Sequence, residues 1–246
     1  DKDDELITAR LTDGEQVIFL ATHDGMAIRF DERDLRAMGR PAFGNKGITL
    51  KKGDFVIGAA VTPSPEARNK QRLARAAEKG LKDQVEAVLD ETLTTTAAQP
   101  LELNEPGELA APILSEEAVE KLEKLDKELG LTPCLILTVS ENGFGKRTDV
   151  DMYRLQTRGG KGVINMRATP KIGKVTSIQL VDDTTEMMVI SQFGKIIRID
   201  TKQVRAAGRA TMGVKLLDLD TGDKVASATV IPPDDKPTTD GGILLQ

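Results

Sequence analysis

The chain has 246 residues, of which 39% are hydrophobic, 3% aromatic and 30% charged, with a formal net charge of −5. A single cysteine excludes an internal disulfide framework and favours a reducing compartment. No apolar run approaches the roughly 18 to 20 residues that cross a bilayer as a helix. With no tryptophan and one tyrosine, a core must be built from Val, Ile, Leu and Met. The acidic groups are unevenly placed: the start Asp1–Glu5, the segment 63–132 and the last residues hold the excess, and the rest is net basic, which suits a polyanionic partner. The start has no apolar stretch behind it and is no signal peptide. It lacks a Met and resembles the end of a repeat, so the chain reads as a piece of a longer one.

In chain order, Glu5 to Thr12 reads as a short β-type segment closing a preceding blade (1–12). Val17–Thr22 is an apolar strand, Asp24-Gly25 a hairpin turn, and Ala27–Phe30 the return strand, with Ile28 and Phe30 on the face opposite Arg29. A polar connection leads to Gly44 and Gly47. Ile48–Leu50 reads as a third strand and Phe55–Val61 as a fourth, completing a blade over 13–62. Glu66–Glu91, rich in Ala, Lys, Arg, Glu and Leu, predicts one long helix. Thr94–Pro112 predicts a linker of low structure. Ser115 predicts an N-cap for a second helix with an apolar stripe of Val119, Leu122, Leu125 and Leu129, stopped by Gly130 and Pro133. Residues 63–132 are thus expected to be a two-helix insertion, solvated on a loop.

The four-strand pattern then returns twice. In 133–181 the strands are Leu135–Val139, a return opened by Gly145-Lys-Arg-Thr148, Val163–Met166 and Val175–Val181. In 182–231 they are Met187–Ser191, Ile196–Ile199, Val214–Leu217 and Val225–Val230. Residues 232–246 read as a tail. A spacing of Gly-x3-Arg-x10-Arg-x3-Gly holds all three repeats in register: Gly25, Arg29, Arg40 and Gly44; Gly143, Arg147, Arg158 and Gly162; Gly194, Arg198, Arg209 and Gly213. Four strands every ~50 residues predict a mainly β, propeller-like array of four-stranded antiparallel blades, too few here to close a ring.

The glycine-rich basic turns carry the functional signal. In Gln156-Thr-Arg-Gly-Gly-Lys-Gly162, the glycines at 159, 160 and 162 let the backbone approach a partner, and Arg158 and Lys161 add charge that positions a phosphate backbone without reading bases. Arg29, Arg147 and Arg198 read as a stripe of charge on the return strands. Arg36, Arg40, Lys46, Lys146, Arg154, Arg205, Arg209 and Lys215 extend the candidate DNA-binding set. Tyr153 reads as packed at a blade edge rather than as a nucleophile, His23 as a surface residue beside a turn, and Cys134 as a buried strand thiol. No spacing predicts a metal site, a P-loop or a catalytic constellation.

Arg36-Ala-Met-Gly-Arg40, Asn142-Gly-Phe-Gly-Lys-Arg-Thr148, Arg158-Gly-Gly-Lys-Gly-Val-Ile164 and Gly208-Arg-Ala-Thr-Met-Gly-Val-Lys-Leu216 together resemble the C-terminal domain family of the gyrase A protein (of DNA gyrase) and its relative in topoisomerase IV. The resemblance covers residues 5–62 and 133–231 and implies the last three blades of a six-bladed β-pinwheel. It implies a non-catalytic domain that wraps double-stranded DNA on a basic rim, largely independent of sequence, within a gyrase holoenzyme of two A and two B subunits. ATP and Mg²⁺ would be bound elsewhere in that enzyme, no cofactor or membrane would be involved here, and the location would be the bacterial cytoplasm. Two departures stand out. The family's box, Gln-Arg-Arg-Gly-Gly-Lys-Gly, normally lies in the first blade, whereas here Thr157 replaces its first Arg in what looks like the fifth. The helical insertion is not part of the common pattern. The alternatives are the equivalent domain of topoisomerase IV, acting in substrate selection, and a propeller-like scaffold for proteins.

Overall fold

The computed structural model describes residues 4–97 and 114–231. The first three residues of the acidic start, most of the Thr94–Pro112 linker and the 232–246 tail lie outside the described residues.

The first repeat places β1 (Gln16–Thr22) between β2 (Met26–Asp31) and β3 (Val56–Pro63), all antiparallel. Alternate apolar residues of β1 turn Val17, Phe19 and Ala21 inward, and Gly25, at φ 86°, makes the tight hairpin. Glu5 to Thr12 forms no strand, and Leu6 and Leu11 are almost fully exposed. The expected third strand at Ile48–Leu50 is also absent. The edge of β2 is taken instead by β6 (Val163–Ile164) of the second repeat, with Met26 opposite Ile164 and Ala27 opposite Val163. The sheet order is therefore β3-β1-β2-β6.

The second repeat repeats this exchange. It holds β4 (Leu135–Ser140), β5 (Phe144–Asp149), β6 and β7 (Val175–Val181), while the third holds β8 (Glu186–Ser191), β9 (Ile196–Asp200), β10 (Val214–Lys215) and β11 (Val225–Ile231). The second sheet runs β10-β5-β4-β7, its edge supplied by the third repeat. The third sheet has three strands, β11-β8-β9. Self-contained blades are thus corrected to blades that borrow a strand. The reason is steric: Gly162 and Gly213 have φ of 74° and 75°, and a Cβ there would lie 2.3 Å from Ala27 O and 2.5 Å from Gly145 O. Only glycine lets the chain pass that close and reach the neighbouring sheet.

Two apolar layers lie between the blades. Phe19, Ala60, Ile136, Met166, Val175 and Ile178 fill the first. Leu135, Leu137, Val139, Met187, Val189 and Val225 fill the second. β4 alternates between them and is buried along its whole length, as a strand covered on both faces must be. Tyr153 lies in the first layer at 1% exposure, edge-on to Phe19 at 4.8 Å, not at a blade edge. Burying such a ring contributes about 1.5–3 kcal/mol.

The described residues of the insertion form three helices where two are expected: α1 (Pro65–Lys79), α2 (Lys82–Ala97) and α3 (Glu116–Leu129). Gly80 in the left-handed conformation ends the first helix where one long helix is expected, and α2 runs past the expected start of the linker. Ser115 caps α3 by accepting from the Ala118 amide at 3.1 Å. Leu125 and Leu129 pack with Ala76 and Val85 in a separate small core. The helices are not a solvated ornament. Arg72 donates through Nε to Asp126 at 2.7 Å and lies 3.7 Å from Asp151 of the second repeat, and both Arg72 and Asp126 are buried. Arg68 donates to Asp126 at 2.9 Å and to the Thr132 carbonyl at 2.7 Å.

Candidate nucleic-acid interface

In the second and third repeats the basic connection, from the strand-borne Arg to the closing Gly, is carried across to the preceding blade by the strand exchange. This divides the predicted DNA-contacting residues into two groups with different physical fates.

The first group is inside. Arg29, at 3% exposure, donates from NH1 to the carbonyls of Val150 at 2.7 Å and Tyr153 at 3.2 Å, and to Asp151 Oδ1 at 3.2 Å. Arg147 donates from Nε to Val204 O at 2.8 Å, from NH2 to Lys202 O at 3.3 Å and from NH1 to Asp183 at 2.6 Å. Both guanidinium groups satisfy carbonyls in and beside the next repeat's 3-10 turn, so they latch one blade to the next. Lys146 is at 0% exposure and Arg154 at 6%. The expected stripe on a solvated strand face is therefore corrected for Arg29 and Arg147, and Lys146 and Arg154 are likewise withdrawn from the surface. Ile28 and Arg29 do point to opposite faces, but neither face is wet, because the strand is covered on both sides once a neighbour docks. Arg198 occupies the same repeat position at the blade that borrows no strand among the described residues, and there it is exposed and paired with Glu186.

The second group is at the surface. Arg36, Arg40 and Lys46 are exposed on the first connection. The turn Arg158–Gly162 packs on that connection: Arg158 donates from Nε to Asp34 O at 2.9 Å and from NH1 to Lys46 O at 3.2 Å, and the Gly159 amide donates to Gly47 O at 2.7 Å. Lys161 is exposed beside it. Thr49 completes the contact, donating from its amide to Gly160 O at 2.8 Å and from Oγ1 to Gly159 O at 2.5 Å. One basic surface thus joins the first repeat's connection and the second repeat's turn.

A second such surface lies one blade on. Arg205 is exposed, and Arg209 is half-buried, its Cζ 6.0 Å from the Tyr153 ring centre and NH1 3.5 Å from Ile164 O. Arg167, exposed and donating its amide to Thr211 O at 3.3 Å, joins this surface. The repeat pattern does not single it out, because Thr49 and Asp218 hold the equivalent positions. Lys215 is exposed but paired with Asp218. Of the turn glycines, Gly25 and Gly143 stand against Met166 O and Leu217 O of the docked segments, whereas Gly44 and Gly194 have open space around them.

The remaining singled-out groups take no part in this surface. His23 stacks on Phe55 at 4.6 Å, with Nδ1 3.0 Å from Val175 O. Cys134 is buried, and that burial pushes its thiol up to about 12. No group of three or more His, Cys, Asp or Glu side chains that could hold a metal occurs among the described residues. No helix among them is long and apolar enough to cross a membrane. What the arrangement offers is glycine-closed turns whose guanidinium and ammonium groups can present donors to an extended anion at repeating intervals.

Strand-exchanged antiparallel blades with a basic turn at each junction define the class of β-propeller-like repeat domains. The chain belongs to the DNA gyrase C-terminal domain, beta-propeller, family, whose model matches residues 16–63, 135–182 and 185–232. It is 35% identical over 221 residues to the A subunit of DNA gyrase from Lawsonia intracellularis, covering 90% of this chain and 19% of that protein. It is 34% identical over 232 residues to the corresponding protein of Rickettsia bellii, covering 94% and 23%. The chain thus spans about a fifth of the length of these relatives. Two solved structures share the fold, both at 19% identity. The C-terminal domain of DNA topoisomerase IV matches 92% of this chain and 50% of that one at a TM-score of 0.62. The DNA gyrase A C-terminal domain matches 90% and 52% at 0.57.

Proposed function

We propose that this chain wraps duplex DNA as part of a gyrase A protein, so that the holoenzyme, with its B subunits, passes strands toward negative supercoiling. The observation that carries this reading is the regular series of glycine-closed basic turns left exposed at successive blade junctions. Phosphate contacts at such intervals position a duplex without reading its bases and offset the cost of bending it. The identity of 34 to 35% to gyrase A proteins favours gyrase over the topoisomerase IV equivalent. The chain itself would hold no cofactor and catalyse nothing, the ATP and Mg²⁺ of the enzyme acting elsewhere, and its place would be with the chromosome in the cytoplasm.

The test is a salt titration of binding to a duplex longer than the basic arc. Affinity should fall by orders of magnitude between about 50 and 200 mM salt, with little difference between sequences. Ligation of nicked circles with the chain bound should shift the linking number in one direction. No binding at low salt would overturn the proposal and favour a protein-binding scaffold.

A further inference from the structure

Lys146 stands where the other repeats place isoleucine, Ile28 and Ile197 being the third residue after the turn glycine as Lys146 is after Gly143. An ammonium group buried at such a position is costly unless every donor is used. All three are: Nζ donates to Asn165 O at 2.7 Å, to Gly208 O at 2.6 Å and to Arg209 O. Two of the three acceptors belong to the next repeat's basic turn. The third, Asn165 O, is equivalent to the Gly47 carbonyl, which at the first junction receives the Gly159 amide instead. Asn165 is fixed in turn, accepting from the Tyr153 hydroxyl at 2.6 Å and donating to Thr138 Oγ1 at 3.2 Å.

The consequence follows from peptide geometry. In a trans peptide the C=O and the following N–H point in opposite directions. Anchoring the Gly208 and Arg209 carbonyls on Lys146 therefore turns the amides of Arg209 and Ala210 away from the core, on the side where Ala210 is exposed. Two successive outward amides beside a guanidinium form a concave donor set for an anion. Thr148 Oγ1, donating to Ala207 O at 2.8 Å, and the Ala207 amide, donating to Arg147 O at 2.8 Å, hold the approach to the same turn.

We propose that Lys146 is a positioning residue that builds, from inside the blade, a phosphodiester site made of the Arg209 and Ala210 amides and the Arg209 guanidinium. This rests on the reading of the basic turns as phosphate contacts. The first-junction turn needs no such lysine because Thr49 and Gly47 hold its backbone. Burial, and then the Arg209 cation facing it, lower the Lys146 pKa to about 7. Tyr153, behind Asn165, is pushed above its usual range by burial and stays protonated. Lys146 thus holds its third donor below about pH 7 and gives it up above.

The experiment measures duplex binding against salt for the whole chain, with thermal melts to report the fold, in Lys146→Met, Arg209→Ala, Arg158→Ala and the double variants. Lys146→Met should lower affinity several-fold and flatten the salt slope by about one, as loss of one phosphate contact does. It should add less than its full effect to Arg209→Ala, which weakens the same phosphate contact but keeps its two amides, and add in full to Arg158→Ala. An unchanged affinity in folded Lys146→Met, or full additivity with Arg209→Ala, overturns the inference alone. If neither Arg209→Ala nor Arg158→Ala weakens binding, the reading of the turns fails and takes the inference with it. If Lys146→Met does not fold, the pH profile decides. Unsubstituted chain should lose more affinity than Arg209→Ala between pH 6 and 8.5, and identical profiles overturn the proposal.

Discussion

At the scale of single residues, one repeat position has two energetic meanings. Arg29 is sealed among carbonyls and Asp151, while Arg198, its equivalent, faces water beside Glu186. Arg29→Met should cost about 3–5 kcal/mol, because it leaves the buried Val150 and Tyr153 carbonyls without this donor and takes from Asp151 the nearer of its two cations, Arg72 remaining at 3.7 Å. Arg198→Met should cost at most about 1 kcal/mol. Chemical denaturation of the two variants measures this, and equal losses would mean that the latch at the first junction contributes nothing special. Asp149 makes a pH prediction. Its pKa is raised to about 7, by burial first and then by the Asp151 carboxylate. Between the ordinary value of 3.8 and 7 the folded chain keeps a proton that the unfolded chain releases. The group's contribution to stability is therefore whole below about pH 4 and lost as pH rises through 7. Asn can still accept from the Asp151 amide, as Asp149 does at 2.7 Å. Asp149→Asn should gain on the unsubstituted chain, by on the order of 1 kcal/mol or more, in urea denaturation at pH 8.5 relative to pH 4. A constant difference across that range would rule the idea out.

At the scale of elements, the strands and turns were legible because each carries a local signal: apolar alternation in β1, a glycine after Asp24, Ser115 ahead of α3. The repeat spacing was legible too, and with it the surface turns that carry the half-buried Arg158 and Arg209 and the exposed Lys161. What the residues did not disclose was pairing. β6 and β10 are two-residue strands whose partner is chosen by tertiary docking, not by their own pattern. That choice decides the fate of Arg29, Lys146 and Arg147, so the buried half of the candidate site was hidden with it. The split at Gly80 is not legible because an isolated glycine in a helical run signals a cap only when its φ is known. The glycines test the exchange. Gly44 and Gly162 share a left-handed φ, but only Gly162 stands against a neighbouring strand. Gly44→Ala should cost about 1 kcal/mol. Gly162→Ala should cost about 2–4 kcal/mol, because it also pushes β6 from β2. Hydrogen exchange at Met26 and Ala27 would show whether that edge opens.

At the scale of the whole molecule, charge is sorted by geometry rather than by net count. A chain of net charge −5 still presents two basic surfaces, because its acidic groups lie largely in the insertion and at its ends. Reversing charge at Arg158→Glu should weaken duplex binding partially and lower the salt slope by about one to two, since the second surface remains. Loss of all binding at low salt from that one change would mean the two surfaces do not share the duplex. The insertion joins this architecture through Asp126, Arg72 and Asp151, in contact with the Arg29 latch. Its docking braces the first blade junction.

The borrowed strands also set a timetable. Met26 waits for Ile164, so the first sheet stays unfinished while the ribosome makes the whole insertion and half of the next repeat. The three helices, whose mutual contacts span less chain than the pairing of β2 with β6, can form in that interval, as nearer contacts form faster than more distant pairing. For that time the edge of β2 is open to any passing strand, including that of another nascent copy on the same message. A helical domain folding early at this position would keep the waiting blade apart from such neighbours until its own partner emerges.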